Sequence, residues 1–179
     1  MNIIDEVLPN VFLVSIKSSN DIRGNFIKTY NFEEFKKLNL NFIPKESYIS
    51  SSFFNVVRGM HYQVEKSAHE KLITCIKGKV LDVIVDVRPF SSNFNKPVSF
   101  FLSENEPIAI LIGKGYAHGF LSLSKISIMS YMTSTVYCPS YDSGVLWSSI
   151  DFEWPIKNPI LSQRDKLHPL LGNHKCKFS

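Results

Sequence analysis

The sequence predicts an all-β protein, an antiparallel sandwich or barrel, and three observations carry that prediction. From residue 47 onward, short apolar and β-branched runs alternate with turn residues. Strand-forming aromatics are abundant, with 14 Phe and 7 Tyr. Helical periodicity appears over one short stretch only.

Taken in order, residues 8–15 read as a first strand. Asp21-Ile22-Arg23-Gly24 is a turn, and 25–30 a second strand. Asn31 then offers a helix cap, with Glu34 three residues on as in a capping box. Phe32, Phe35 and Leu38 form one apolar stripe, and this helix, the sole one expected, stops near 39–41. Strands follow at 48–54 and 56–62. The strand at 71–76 runs into Lys77-Gly78-Lys79, a hairpin turn. Residues 80–88 alternate, with Leu81, Val83, Val85 and Val87 on one face and Asp82, Asp86 and Arg88 on the other. Further strands are expected at 98–102, 108–112, 116–121, 126–133 and 145–148. On 126–133, Met129, Tyr131 and Thr133 share a face. From Asp151 on, Pro155, Pro159 and Pro169 keep the tail extended and irregular. No repeat or low-complexity linker interrupts the pattern, so one domain over 1–179 is expected.

Composition narrows the class of function. A chain of 179 residues with 44% hydrophobic residues can bury a sizeable core. The net charge of +4 is mild and no Lys/Arg run stands out, which argues against nucleic acid as a partner. It is compatible with a phosphorylated small molecule. Cys75, Cys138 and Cys176 are far apart and form no CxxC pair, as in a reducing cytosol. Residues 1–6 lack the features of a signal peptide. Apolar runs such as Ile108-Ala109-Ile110-Leu111-Ile112 are too short to span a bilayer, so a cytoplasmic protein without a membrane partner is expected.

The densest stretch is Val56-Val57-Arg58-Gly59-Met60-His61-Tyr62-Gln63. It opens as a strand and then presents a guanidinium, an imidazole, a phenol and an amide. Strict alternation places Arg58, Met60 and Tyr62 on one face and Gly59, His61 and Gln63 on the other. Gly59 lets a ligand or another backbone approach closely beside His61. Further along stand Lys71, His118 flanked by Gly119, Tyr131, Tyr137 and Asp165. An antiparallel barrel can bring all of these to one cavity. The spacing is poor for a metal, because strand-borne ligands usually come as His-x-His and the residue two on from His61 is Gln63. A His, a Lys, a Tyr and an Asp instead suit proton transfer at a carbon acid such as a ketone. Asp82 and Asp86 read as solvated or supporting residues, Cys75 as a small core residue, and His69, His168 and His174 receive no role.

A resemblance sharpens this reading. Arg58-Gly59-Met60-His61-Tyr62-Gln63, Lys71-Leu72, the run from Gly78 to Arg88, and Gly115-Tyr116-Ala117-His118-Gly119-Phe120 resemble the dTDP-4-dehydrorhamnose 3,5-epimerase family. Asp21-Ile22-Arg23-Gly24-Asn25-Phe26 is similar to its opening motif, and Tyr131, Tyr137-Cys138-Pro139, Trp147, Trp154-Pro155 and Leu161-Ser162 with Asp165 to its later ones. The resemblance runs over about 8–170. It implies a cupin-type jelly-roll barrel, a homodimer built by exchange of N-terminal strands, no cofactor or metal, and a nucleotide-diphosphate 4-keto-6-deoxy sugar as substrate. By the same resemblance His61 is the general base, Asp165 its orienting carboxylate, Lys71 the stabiliser of an enolate on the C4 oxygen, and Tyr131 the acid. Arg58, Gln63 and His118 shape the sugar and diphosphate site, Tyr137 stacks on the base, and Arg23 reaches phosphate from the partner subunit. The chain departs from the family pattern at Lys28, where a Glu is usual among the substrate-binding residues, at Tyr48 in place of Asn, at Met132, and at Ser148-Ser149. A nucleotide-sugar 3,4-ketoisomerase and a non-catalytic sugar-nucleotide-binding cupin are the alternatives.

Overall fold

In a computed structural model, which describes residues 1–174 and 178, the chain runs through thirteen strands and two short helices. The order is β1 (Asn2–Leu8), β2 (Val11–Ser15), β3 (Lys17–Asp21), β4 (Gly24–Lys28), α1 (Phe32–Lys37), β5 (Glu46–Phe53), β6 (Val57–Gln63), β7 (Lys71–Lys77), β8 (Lys79–Asp86), β9 (Pro97–Ser103), β10 (Ile108–Ile112), β11 (Tyr116–Ser122), β12 (Ile126–Thr133), β13 (Asp142–Gly144) and α2 (Gln163–Lys166). Six strands form one sheet in the order β1-β2-β10-β7-β12-β5. Five form the other, β13-β6-β11-β8-β9, and β3 with β4 makes a separate ribbon. Neighbouring strands pair antiparallel, and the two sheets face each other as a jelly roll. No helix among the described residues is long and apolar enough to cross a membrane.

Three apolar layers account for the packing. Ile73, Ile84, Ile110, Phe120 and Met129 fill the space between the sheets. Phe35 of α1, with Leu40 and Phe42, covers the outer face of the six-stranded sheet over Val14, Leu72 and Leu111. Trp154 and Leu171 of the C-terminal segment cover the outer face of the five-stranded sheet over Val83 and Val85. Strand β8 is therefore buried on both faces. Its apolar face lies under the C-terminal segment and its polar face points into the barrel, so Asp82 and Asp86 are fully buried rather than solvated. Each instead accepts local hydrogen bonds: Asp82 from His118, Asp86 from Arg88 and Ser91.

Several local expectations hold. β10 and β12 begin and end where the apolar run and the alternation placed them. Asn31 caps α1 by accepting from the Glu34 N–H at 3.0 Å. The capping box is only half formed, because the Glu34 carboxylate pairs instead with the N-terminal amine and Lys17. Others are corrected. β1 was not foreseen; it is an exposed edge strand with irregular register, so its pattern does not alternate. The strand expected at 145–148 is a 3₁₀ turn at Trp147–Ser149, and the strand lies earlier, at β13, held by pairing to β6. A second helix, α2, starts at Ser162, whose hydroxyl accepts from the Asp165 N–H at 3.1 Å. Cys75 is buried and, like Cys138, free, whereas Cys176 lies outside the described residues.

Candidate active site

The alternation predicted for β6 breaks in the middle of the strand. His118 pairs with His61 and Phe120 with Arg58, so one residue of β11 spans two of β6. This irregularity turns Arg58 to the same side as His61, whereas strict alternation separated them; Met60 packs into the outer layer. The crossing is tight. A Cβ on Gly59, at φ +138°, would stand 2.6 Å from the Gly119 Cα. The close approach inferred from Gly59 is thus made by backbone.

Between the sheets lies a cavity of about 360 Å³. Arg58, His61 and Gln63 of β6, His118 of β11, Lys71 at the start of β7, Tyr131 of β12 and the loop residue Tyr137 all line it. Asp165 sits behind His61, 2% exposed, with its Oδ1 2.7 Å from the His61 Nε2. The Gly59 N–H donates to the other carboxylate oxygen. Burial alone pushes the Asp165 pKa up, but the His61 hydrogen bond and charge, Gly59 and Ser162 outweigh it and hold the carboxyl down at about 2. The carboxylate is therefore ionised and accepts a hydrogen bond from the His61 Nε2–H, which leaves Nδ1, the other ring nitrogen, as the basic atom. Burial pulls the His61 pKa below its ordinary value, Asp165 opposes this, and Arg164 and Lys71 add to it.

Lys71 is 8% exposed, which overturns the surface position usual for a lysine opening a strand. Burial draws its pKa down to about 8, with Asp142 and Asp82 restoring part. Tyr131 is 5% exposed, and burial raises its pKa. Its hydroxyl lies 3.2 Å from the Ser50 Oγ, its ring stacks on Tyr48 at 4.8 Å, and His118 meets it edge-on. His118 is itself anchored by Asp82 at 2.7 Å.

His61 and Tyr131 sit on opposite walls. His61 projects from the five-stranded sheet and Tyr131 from the six-stranded sheet, into one cavity. Arg23 and Lys28 lie outside that cavity, on the β3–β4 ribbon, where Arg23 pairs with Asp21 in its own chain. Of the lining groups that sequence reasoning missed, four stand beside residues it named. Arg164 approaches His61 Nε2 at 2.7 Å and bridges to Asp142 at 2.7 Å; its one signal was adjacency to Asp165. Asp142 faces Gln63 across the β13–β6 pairing, and Ser50 faces Tyr131 through β5. The fourth, His69, was assigned no role and lines the cavity beside Lys71. His168, also left without a role, stands 3.8 Å from the Asp165 Oδ1.

Among the described residues, one group brings metal-ligand atoms together: His61, Asp165 and His168, within 4.8 Å. Two of its atoms are already committed to each other through the His61–Asp165 hydrogen bond, and the Arg164 guanidinium stands against the same Nε2. A cation there opposes a second one. The arrangement serves proton transfer better than chelation.

A jelly-roll barrel that closes an anchored imidazole, a lone buried ammonium and a buried phenol around one cavity is built to move protons on and off carbon. That defines a cupin-type isomerase. The family model described as dTDP-4-dehydrorhamnose 3,5-epimerase matches residues 5–173. The dTDP-4-dehydrorhamnose 3,5-epimerase of Shigella flexneri is 39% identical over 170 residues, covering 92% of this chain and 93% of that one. A crystal structure of the Bacillus anthracis enzyme with TDP and PPi bound has a TM-score of 0.89 at 32% identity, over 94% of this chain and 98% of the other. The Legionella pneumophila enzyme in complex with dTDP-4-keto-L-rhamnose has a TM-score of 0.90 at 28% identity, over 97% and 94%. The chain belongs to the dTDP-4-dehydrorhamnose 3,5-epimerase family, and it is an epimerase.

Proposed function

We propose that the cavity takes a thymidine-diphosphate-linked 4-keto-6-deoxy hexose and inverts C3, C5 or both by proton abstraction next to the ketone. The observation that carries this is the placement of His61 and Tyr131 on opposing sheets across one cavity. Inversion needs a proton removed from one face and returned to the other, and a ring held between the sheets presents one face to each. His61 Nδ1 takes the proton, and Asp165 supports the imidazolium that results. Charge then builds on the C4 oxygen, where the buried Lys71 side chain lining the cavity is placed to meet it with its ammonium. Tyr131 delivers a proton from the other side. C3 and C5 flank the same carbonyl, so one enolate chemistry serves both. Arg58 and Arg164 supply guanidinium forks for diphosphate, and the exposed ring of Tyr137 offers a stacking face for the base. The thymidine diphosphate groups of the substrate follow those bound in the relatives.

The whole chain acts as one catalytic unit in the cytoplasm, and two copies form a homodimer. Ile4, Ile22 and Phe26 are apolar and exposed on β1 and the β3–β4 ribbon, as strands awaiting a partner would be. Exchange of these strands carries Arg23 to the partner subunit's diphosphate.

Solvent-deuterium incorporation into the dTDP-linked 4-keto-6-deoxy hexose, followed by NMR, tests the activity. Exchange at C3, C5 or both is expected, and its absence at both carbons overturns the reading. Sedimentation tests the assembly, since a fully active monomer at micromolar concentration contradicts strand exchange.

A further inference from the structure

Two buried polar atoms at the floor of the cavity have no partner among the described residues, and they are complementary. One is the His69 Nε2 and the other the Gln63 Nε2. The tautomer of His69 follows from its neighbours. The Thr135 hydroxyl donates its single proton to the Ser67 carbonyl at 3.1 Å, so toward the His69 Nδ1, at 3.2 Å, it can only accept. The imidazole proton therefore sits on Nδ1, and Nε2 carries a bare lone pair. Burial, with Lys71 and Lys114 adding to it, lowers the His69 pKa to about 3, so the ring stays neutral. Gln63 is oriented in the same way. Its Oε1 accepts from the Cys138 N–H at 3.3 Å, which leaves its Nε2 as a donor.

Both residues line the main cavity, and both border a small recess that opens beside Lys71 and His118. The recess holds about 10 Å³, room for a single oxygen atom. An acceptor and a donor on two residues that border one oxygen-sized space match a hydroxyl, of an alcohol or of water, which donates to the first and accepts from the second. A ketone or a phosphate oxygen has no proton for His69, and an ammonium has no lone pair for Gln63.

We infer that His69 and Gln63 recognise one substrate hydroxyl, the one on the carbon next to the ketone. This rests on the 4-keto sugar reading, because it takes Lys71 as the partner of the ketone oxygen. His69 precedes Lys71 by two residues and shares the recess with it, so an oxygen seated there is vicinal to the one that Lys71 meets. In a 4-keto-6-deoxy sugar that is the C3 hydroxyl. A site with a buried acceptor and a buried donor rejects a substrate that cannot satisfy them, because both then remain unpaired. His69 and Gln63 thereby set specificity for sugars oxygenated at C3.

The test compares the dTDP-linked 4-keto-6-deoxy hexose with its 3-deoxy analogue, reading solvent-deuterium exchange at C5, a position both carry. Wild-type kcat/KM is expected to fall on the order of 10²-fold or more on the analogue. His69→Leu is expected to lose a similar factor on the hydroxylated sugar. The two losses do not add: variant and analogue together lose about as much as either alone. His69→Gln, which keeps an acceptor oxygen, recovers part of the rate. Equal wild-type rates on the two sugars overturn the inference, and so does an additive loss, which assigns the recess to a bound water or to loop anchoring. If His69→Leu fails to fold, the wild-type comparison and His69→Gln decide. Absence of exchange at both C3 and C5 of the hydroxylated sugar in the wild type overturns the epimerase reading itself, and this inference with it; where exchange occurs at C3 alone, the same comparison is read as the binding of the two sugars by calorimetry.

Discussion

Tyr131→Phe separates two steps that a single activity assay merges. The variant removes one hydroxyl. Its ring stays stacked on Tyr48 at 4.8 Å and remains within the layer between the sheets. One hydrogen bond is lost, to Ser50 at 3.2 Å. Losing a neutral bond of that kind costs about 1 kcal/mol, which lowers Tm by about 2–4 °C in a chain of this size. The catalytic loss is far larger. A positioned acid contributes about 10²–10⁴-fold, equivalent to about 3–5 kcal/mol of barrier. The loss falls on inversion alone. His61, on the opposite sheet, still removes the proton, and its Nδ1 can trade that proton with solvent before returning it to the same face. Deuterium therefore washes into unepimerised substrate while product formation drops. The assay is NMR of the 4-keto sugar in deuterated water, with wash-in and product measured in the same sample. His61→Asn is the control and abolishes both signals, because no enolate forms. Normal inversion by Tyr131→Phe, or a parallel collapse of exchange and inversion in it, refutes the assignment of acid and base.

Four further outcomes follow from the same geometry. Lys71→Met keeps the buried stem and removes an ammonium that burial disfavours, so it is expected to abolish turnover without lowering Tm in a melting scan. With the Lys71 pKa drawn down to about 8, the ammonium is lost as pH rises through that value, so kcat declines above about pH 8. The acid limb, set by His61, lies below 6.5, and a profile flat to pH 10 contradicts the role of Lys71. Gly59→Ala must place a Cβ 2.6 Å from the Gly119 Cα at φ +138°, a clash and strain costing about 2–6 kcal/mol together, and a denaturant melt with an unchanged midpoint opposes this packing. Exhaustive chelation is expected to leave activity intact, because His61 and Asp165 are engaged with each other; a loss that added zinc or iron restores contradicts it.

Much of the fold can be read directly from the chain, because alternation and turn chemistry are local. β10 shows its full length as an apolar run and β12 as alternation, and Asn31 marks the start of α1 with the side chain that caps it. The stretch from Arg58 to Gln63 announces chemistry by crowding polar groups onto a strand. Local pattern could not show which face of β8 looks into the barrel. Its valines suggested a core face, yet they lie outside, under a C-terminal segment whose position depends on the whole sandwich. Nor could it show that one residue of β11 spans two of β6, since an irregular register is a property of two strands and not of one. β1 and β13 are strands chiefly because a neighbour pairs with them, so propensity left both unmarked.

The site divides along the same line. Residue identities, together with the family resemblance, named His61, Lys71, Tyr131 and Asp165 as a set capable of proton transfer. Folding decided their relations. It set His61 against a carboxylate 104 positions away, put Tyr131 on the facing sheet, buried Lys71, and turned the loop residue His69 into a neutral acceptor through a threonine 66 positions on. Side-chain chemistry is written in each residue, but tautomer, pKa and facing depend on burial and on partners far along the chain, and those exist only once the two sheets have closed on each other.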